Sequence, residues 1–373
     1  MILDTPYFKL LRDRIEALGG MYNAHLHLDR SGTLAFDGGF SGSCHLSIST
    51  KHQLIPHIHA GPAYDPDNLE RRVSEYLDAL VATRSCRADT LVDVTADRVG
   101  TSALEVFLEL KARFAAKLDL RVGAYSPLGF KDSEPERWAL LCEAARRADL
   151  IGSLPERDDH VDYPDHIGFR EHCRRILSLA MDLDRGVHMH VDQRNHPLEN
   201  GAEIALDVIE ELQVPAMSTG EPRVWFVHFI SPSTYEESRF QRLLDRLLKH
   251  RVGVICCPSA AISMNQLRQE YTPTGNSIAR VLELIAAGVP VRVGSDNVCD
   301  ITSPAGTPDL MAEMYVLANA VRYYDIDVLA HLAAGLELPA SCRERVRVHL
   351  AKIAEESGRA LKRLRHTNGF MDP

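Results

Sequence analysis

The 373-residue chain lacks several features that would assign it to a class at once. No apolar run approaches the roughly 20 residues that a membrane-crossing helix requires. The first 20 residues, MILDTPYFKLLRDRIEALGG, spread charges through an amphipathic helical pattern and offer neither the apolar core nor the small-residue cleavage site of a signal peptide. They read as a leading helix of a cytoplasmic protein. No dense Lys/Arg surface is encoded, and a formal charge of −10 argues against nucleic acid as the main partner. The basic LKRLRH near the end is the solvated face of a last helix. The eight cysteines include no CxxC spacing and no regular framework, as suits reduced thiols rather than disulfides or a zinc knuckle. No low-complexity linker divides the chain, and no Gly-rich fingerprint follows its first apolar run, which removes support for a dinucleotide fold.

What the sequence does contain is alternation. Eight short, β-branched runs, MYNAHLHL, TLVDVTAD, LRVGAYSP, LIGSLPE, GVHMHVDQ, VWFVHFIS, VGVICCPS and VRVGSDN, are separated by longer segments such as DNLERRVSEYLDALVATRS and FREHCRRILSLAMDL, in which apolar residues recur three and four apart. Strands alternating with helices build parallel sheets, and eight units close most naturally into a (β/α)8 barrel spanning residues 1–373 as one domain, without a flanking β-sandwich. An open doubly wound sheet is the alternative. Residues 35–66, rich in Gly, Ser and His, exceed an ordinary connection and read as a partly helical lid over the barrel mouth.

Seventeen histidines in a chain of this length should produce about one His-x-His pair by chance. Three occur, and their contexts differ. His25 and His27 lie at the end of the first strand pattern, where residues i and i+2 share a face, so both project toward one point. His57 and His59 fall in the long segment after strand one and read as surface or lid residues. His190 ends strand five, whereas His188 lies one step deeper as a packed or supporting residue. His228 ends strand six and Asp296 ends strand eight. Each alone has a plain structural reading, a satisfied buried histidine or a helix-capping aspartate. Together they occupy strand C-termini, the rim on which barrel enzymes build their sites.

With HLHLD, HVDQ, VHF and GSDN in these places, the chain resembles the amidohydrolase superfamily over nearly its whole length. Within it the likeness is strongest to the cytosine deaminase group, carried by HLHLDRSGT, ADLIGSLPERDD, HMHVDQRNHPLENG and GSDNVCDITSPAG; adenosine deaminases share the HxHLD opening. The resemblance implies one divalent ion per chain held by His25, His27, His190 and Asp296. Zn²⁺ leads this expectation, with Fe²⁺ and Mn²⁺ as alternatives. It further implies that His228 orients the attacking water and that Asp296 acts as general base and acid. LIGSLPE offers no lysine that could be carboxylated to bridge a second ion.

Three departures from the pattern bear on chemistry. Gln193 stands where the deaminases carry a glutamate, and an amide can bind a substrate but cannot shuttle a proton. Leu128 stands where cytosine deaminase carries the glutamine that reads the pyrimidine's amide edge, so cytosine itself is not the expected substrate. Ser295 and Asn297 replace a histidine and an acid flanking Asp296. Gln193, Asn297, Asp192 and Leu128 are therefore the expected substrate-contacting positions. The expected activity is metal-dependent hydrolysis of a C–N bond in a small molecule, with deamination of an aminated heterocycle first. The alternatives are hydrolysis of a cyclic or N-substituted amide, a metal-binding barrel that has lost turnover, and a barrel whose histidines bind no metal. A small-molecule substrate is the expected partner, without nucleic acid or membrane, and a homo-oligomer is compatible with the sequence.

Overall fold

The computed structural model describes residues 4–36, 45–264, 267, 275 and 277–368. Eight strands run in chain order around one sheet: β1 Met21–Leu26, β2 Ser85–Asp93, β3 Asp119–Tyr125, β4 Leu150–Ser153, β5 Gly186–Val191, β6 Val224–His228, β7 Gly253–Cys256 and β8 Val291–Val293. Every neighbouring pair is parallel. A parallel bridge between Leu26 and Asp296 joins the last strand to the first, so the sheet closes as a (β/α)8 barrel. All eight apolar runs of the sequence contribute a strand, and the open-sheet alternative falls with that closure.

The period-two alternation sorts side chains between two environments. From β5, Val187, Met189 and Val191 pack outward into the large core between sheet and helices. His188 and His190 point inward and meet His25. Two smaller apolar clusters fill the barrel interior, one around Tyr22, Trp225, Val227 and Ile255 and the other around Leu91, Tyr125, Leu150 and Leu154. Register irregularities in β1 between Met21 and Tyr22 and between Asn23 and Leu26 let both Ala24 and His25 face the interior while Leu26 faces the helices. Cys256 packs outward and Cys257 inward, both as core. The seven cysteines among the described residues are all unpaired, and Cys44 lies outside them.

The first helix, Pro6–Ala17, buries Phe8, Leu11 and Ile15, and it ends before the positive-φ glycines Gly19 and Gly20 that turn the chain into β1. The segment expected as a lid carries helices Ile48–His52 and Ile55–Ala60, and Leu46, Ile48, Lys51 and His52 line a cavity at the C-terminal ends of the strands. Residues 37–44 of that expectation lie outside the described residues. No helix among the described residues is long and apolar enough to cross a membrane.

Candidate metal centre

His25, His27, His190 and Asp296 are all buried, and each offers a ligand atom within 4.8 Å of the others. Nε2 of His190 stands 3.1 Å from Nε2 of His25 and 3.4 Å from that of His27, while Asp296 Oδ1 lies 3.7 and 3.5 Å from the same two atoms. The His190 tautomer follows from its other nitrogen: Nδ1 donates to the Ser153 carbonyl at 3.0 Å, which leaves Nε2 with a lone pair aimed at the cluster. His25 Nδ1 faces His188 Nδ1 at 3.2 Å, so His188 supports a ligand from below. Burial holds His25 and His27 well below the usual imidazole range and brings His190 to about 3 and His228 to about 4; neighbouring histidines add to the effect on the first three. The rings are neutral, as ligands must be.

Asp296 presents the opposite problem. Burial pushes its carboxyl up to about 7 against the pull of Arg30, and Oδ1 has no hydrogen-bond partner. A buried unpartnered carboxylate oxygen facing three imidazole lone pairs is costly as it stands and is satisfied by a cation at their focus. The donor set of nitrogens plus one carboxylate fits Zn²⁺ or Fe²⁺.

Backbone geometry aims these groups. His228 and Asp296 adopt φ of 70° and 61°, a left-handed conformation uncommon for non-glycine residues, at the point where each strand ends. The main chain of Asp296 bonds to strand one twice: its N–H donates to the His25 carbonyl at 2.9 Å, and its carbonyl accepts from His27 at 3.3 Å. Just upstream, Gly294 passes so close to strand one that a Cβ there would sit 2.8 Å from the His25 nitrogen. The glycine of GSDN is thus needed for the seam. His228 is set slightly apart, with Nε2 3.9 Å from Asp296 Oδ2 and Nδ1 without a partner.

Other expected positions divide. Gln193 and Asn297 line the cavity beside the donors. Gln193 donates from Nε2 to Glu156 Oε2 at 2.9 Å, which leaves its carbonyl oxygen available, and Asn297 donates to Asp300. Asp192 does not line the cavity. It accepts from the N–H groups of Gly201 and Ala202 and from Tyr235, and so caps the helix Gly201–Leu212; a φ of 53° at Asp192 diverts the side chain from the inward face that a continued strand would give it. Leu128 is also outside the lining, because the chain after Tyr125 turns away, with the Leu128 carbonyl accepting from Arg137. Tyr125 is the strand-three residue that faces the cavity.

Of the two histidines expected as surface or lid residues, His59 proves to be a buried residue of the lid segment. His57 is exposed, but His59 is buried in the helix Ile55–Ala60, with Nε2 3.0 Å from Asp93 and Nδ1 2.6 Å from Asp97. Arg30 grips the same Asp93 through two hydrogen bonds of 3.0 and 2.9 Å. This network fastens the helical segment after strand one to the end of β2. Its members are scattered over residues 30–97, and no local spacing announces them. Glu156 was equally hidden, as one acid among several in LPERDD, and only the fold brings it against Gln193.

A search of family models finds none that matches this chain. A curated, uncharacterized protein of Haemophilus influenzae is 27% identical over 281 residues, 74% of this chain and 94% of that protein. A pterin deaminase of Rhizobium rhizogenes is 24% identical over 225 residues, 60% of this chain and 48% of the deaminase, so the match spans about half the length of that relative. Among solved structures, 5-methylcytosine deaminase from Klebsiella pneumoniae with 5-fluorocytosine superposes with a TM-score of 0.71 at 20% identity, covering 88% of this chain and 74% of the other. N-isopropylammelide isopropylaminohydrolase from Burkholderia multivorans does so at 0.63 and 20% identity, with 88% and 82% covered. The likeness to these solved structures extends over the barrel fold.

Proposed function

We propose that the chain is a metal-dependent hydrolase of a C–N bond in a small heterocyclic substrate, with removal of an exocyclic amino group as its reaction. The observation that carries this reading is the convergence of three neutral imidazoles and the unpartnered Asp296 Oδ1 at the cavity floor, with the amides of Gln193 and Asn297 in the same wall. The pterin and 5-methylcytosine deaminases among the similar proteins, and N-isopropylammelide isopropylaminohydrolase, lend it support.

His25, His27, His190 and Asp296 would hold one divalent ion, Zn²⁺ first and Fe²⁺ or Mn²⁺ next. When bound, such an ion supplies Lewis acidity and lowers the pKa of a coordinated water from about 15.7 toward about 7. Asp296 Oδ2, beside the nucleophile, accepts its proton and returns it to the leaving nitrogen, because proton transfer requires hydrogen-bond reach. His228 donates to the oxyanion that develops on the attacked carbon. Gln193 offers its carbonyl oxygen to a ring N–H, an orientation imposed by Glu156. Asn297, whose amide nitrogen is taken by Asp300, likewise offers an acceptor.

A second reading, hydrolysis of a cyclic or N-substituted amide, draws on Gln193, since an amide there cannot protonate an amine. The two separate in one assay. Zn²⁺-loaded protein is given aminated pterins, purines, pyrimidines and triazines beside cyclic amides, with ammonia and ring-opened product both measured. Ammonia release from an aminated ring supports the proposal; ring opening without ammonia replaces it with the second reading.

A further inference from the structure

The cavity above the metal ligands has an unbalanced charge. Among the described lining residues the only carboxylate is Asp296, which belongs to the ligand set. Two lining cations accompany it. Arg30 is neutralised by its paired hydrogen bonds to Asp93. Lys51, from the helix Ile48–His52, is not: its ammonium donates to the Thr302 carbonyl at 3.2 Å, and no carboxylate among the described residues lies within ion-pair distance. An ammonium has three N–H donors, so this bond leaves two. The side chain is half-buried and tethered at the cavity wall instead of extending into water, with Ser303 beside it in the lining. In a protein of net charge −10, a cation without a carboxylate partner among the described residues, focused in the mouth of the candidate metal site, does what the overall field does not, which is attract an anion.

We propose that Lys51, with Thr302 and Ser303, forms an anion subsite that selects heterocycles bearing a carboxylate or similar ring-borne anion, held at the lid side while the reacting carbon faces the metal ligands. This rests on the hydrolase reading for the ring and on the cavity wall for the anion. The selection arises because the anion pairs with a cation already stripped of part of its water, whereas a neutral ring leaves that cation unpaired beneath it.

Matched pairs of neutral and carboxylated rings test it: pterin with pterin-6-carboxylate and cytosine with cytosine-5-carboxylate, titrated calorimetrically into Zn²⁺-loaded protein, with initial rates measured in parallel. The carboxylated member of at least one pair binds about 10- to 100-fold more tightly, the range of a charged hydrogen bond, and the preference shrinks as ionic strength rises. Lys51→Met removes the preference, with metal content equal to wild type as the check on folding, and Lys51→Arg restores part of it. A ratio near one in the wild type, a ratio that survives Lys51→Met, or no binding by any member of either pair overturns the proposal. Absence of turnover with the binding preference intact overturns the hydrolase reading alone and leaves the anion subsite standing.

Discussion

The Gln193 amide nitrogen donates to Glu156 Oε2 at 2.9 Å, and Glu156 Oε1, also buried, has no partner. A glutamate at position 193 would therefore face a second buried carboxyl. Burial already pushes Glu156 up, and two carboxyls at this separation cannot both ionise, so they would share one proton. Gln193→Glu should lower kcat/KM by about 10- to 100-fold through loss of the fixed acceptor, and adding Glu156→Gln should recover part of it. A clear rise in turnover on aminated rings in the single variant would instead identify a deaminase limited by a missing acid.

Metal content follows from the donor geometry. Purified protein should hold about one equivalent of Zn²⁺, Fe²⁺ or Mn²⁺ per chain, and His25→Ala or Asp296→Ala should lose it, as read by plasma emission spectroscopy. Two essential equivalents would displace the mononuclear arrangement.

His228 stands outside the four-donor group, so its removal should separate metal binding from catalysis. The expected outcome for His228→Ala is near-normal metal content and a turnover reduced by about 10²- to 10³-fold, the loss typical of one oxyanion donor. Complete metal loss in this variant would make His228 a ligand.

His59 gives the fold a pH dependence away from the metal. Burial opposes its protonation, yet hydrogen bonds to Asp93 and Asp97 prevail and lift its pKa to about 9. A folded pKa above the unfolded 6.5 contributes stability that is fully present below pH 6.5 and is lost as pH rises through about 9. Wild type should thus melt about 2–4 °C above His59→Gln near pH 6, with the gap closing by pH 10. A gap independent of pH would show that His59 is neutral in the fold.

The barrel was legible because its signal is local and repeated. Each strand run carries its own β-branched alternation, and strand ends fall at fixed places along it, so His25, His27, His190 and Asp296 could be set on one rim without coordinates. Asp192 and Leu128 lie outside the cavity lining for different reasons. Extrapolating a strand past its last ladder bond assumes extended backbone, and at Asp192 the chain enters the left-handed region instead. Leu128 was placed by family resemblance alone, and the chain turns away after Tyr125, with the Leu128 carbonyl held by Arg137. Glu156, Lys51 and His59 were invisible for another. Their partners lie 37, 251 and 34 residues away, and nothing in their immediate neighbourhood distinguishes them from ordinary charged residues.

Because Asp296 is both a proposed metal ligand and the residue whose main chain zips β8 to β1, such a centre cannot be assembled piecemeal. During synthesis three histidines emerge long before the carboxylate, and a barrel lacking its last strand has no wall on which to complete the cluster. A bound ion would clasp positions about 270 residues apart, and the chain entropy surrendered in bringing such distant points together would be surrendered once for barrel and site alike. Chelation should consequently loosen the β1–β8 junction before any other part of the sheet, and amide exchange at His27 and Asp296 is where that opening would first be seen.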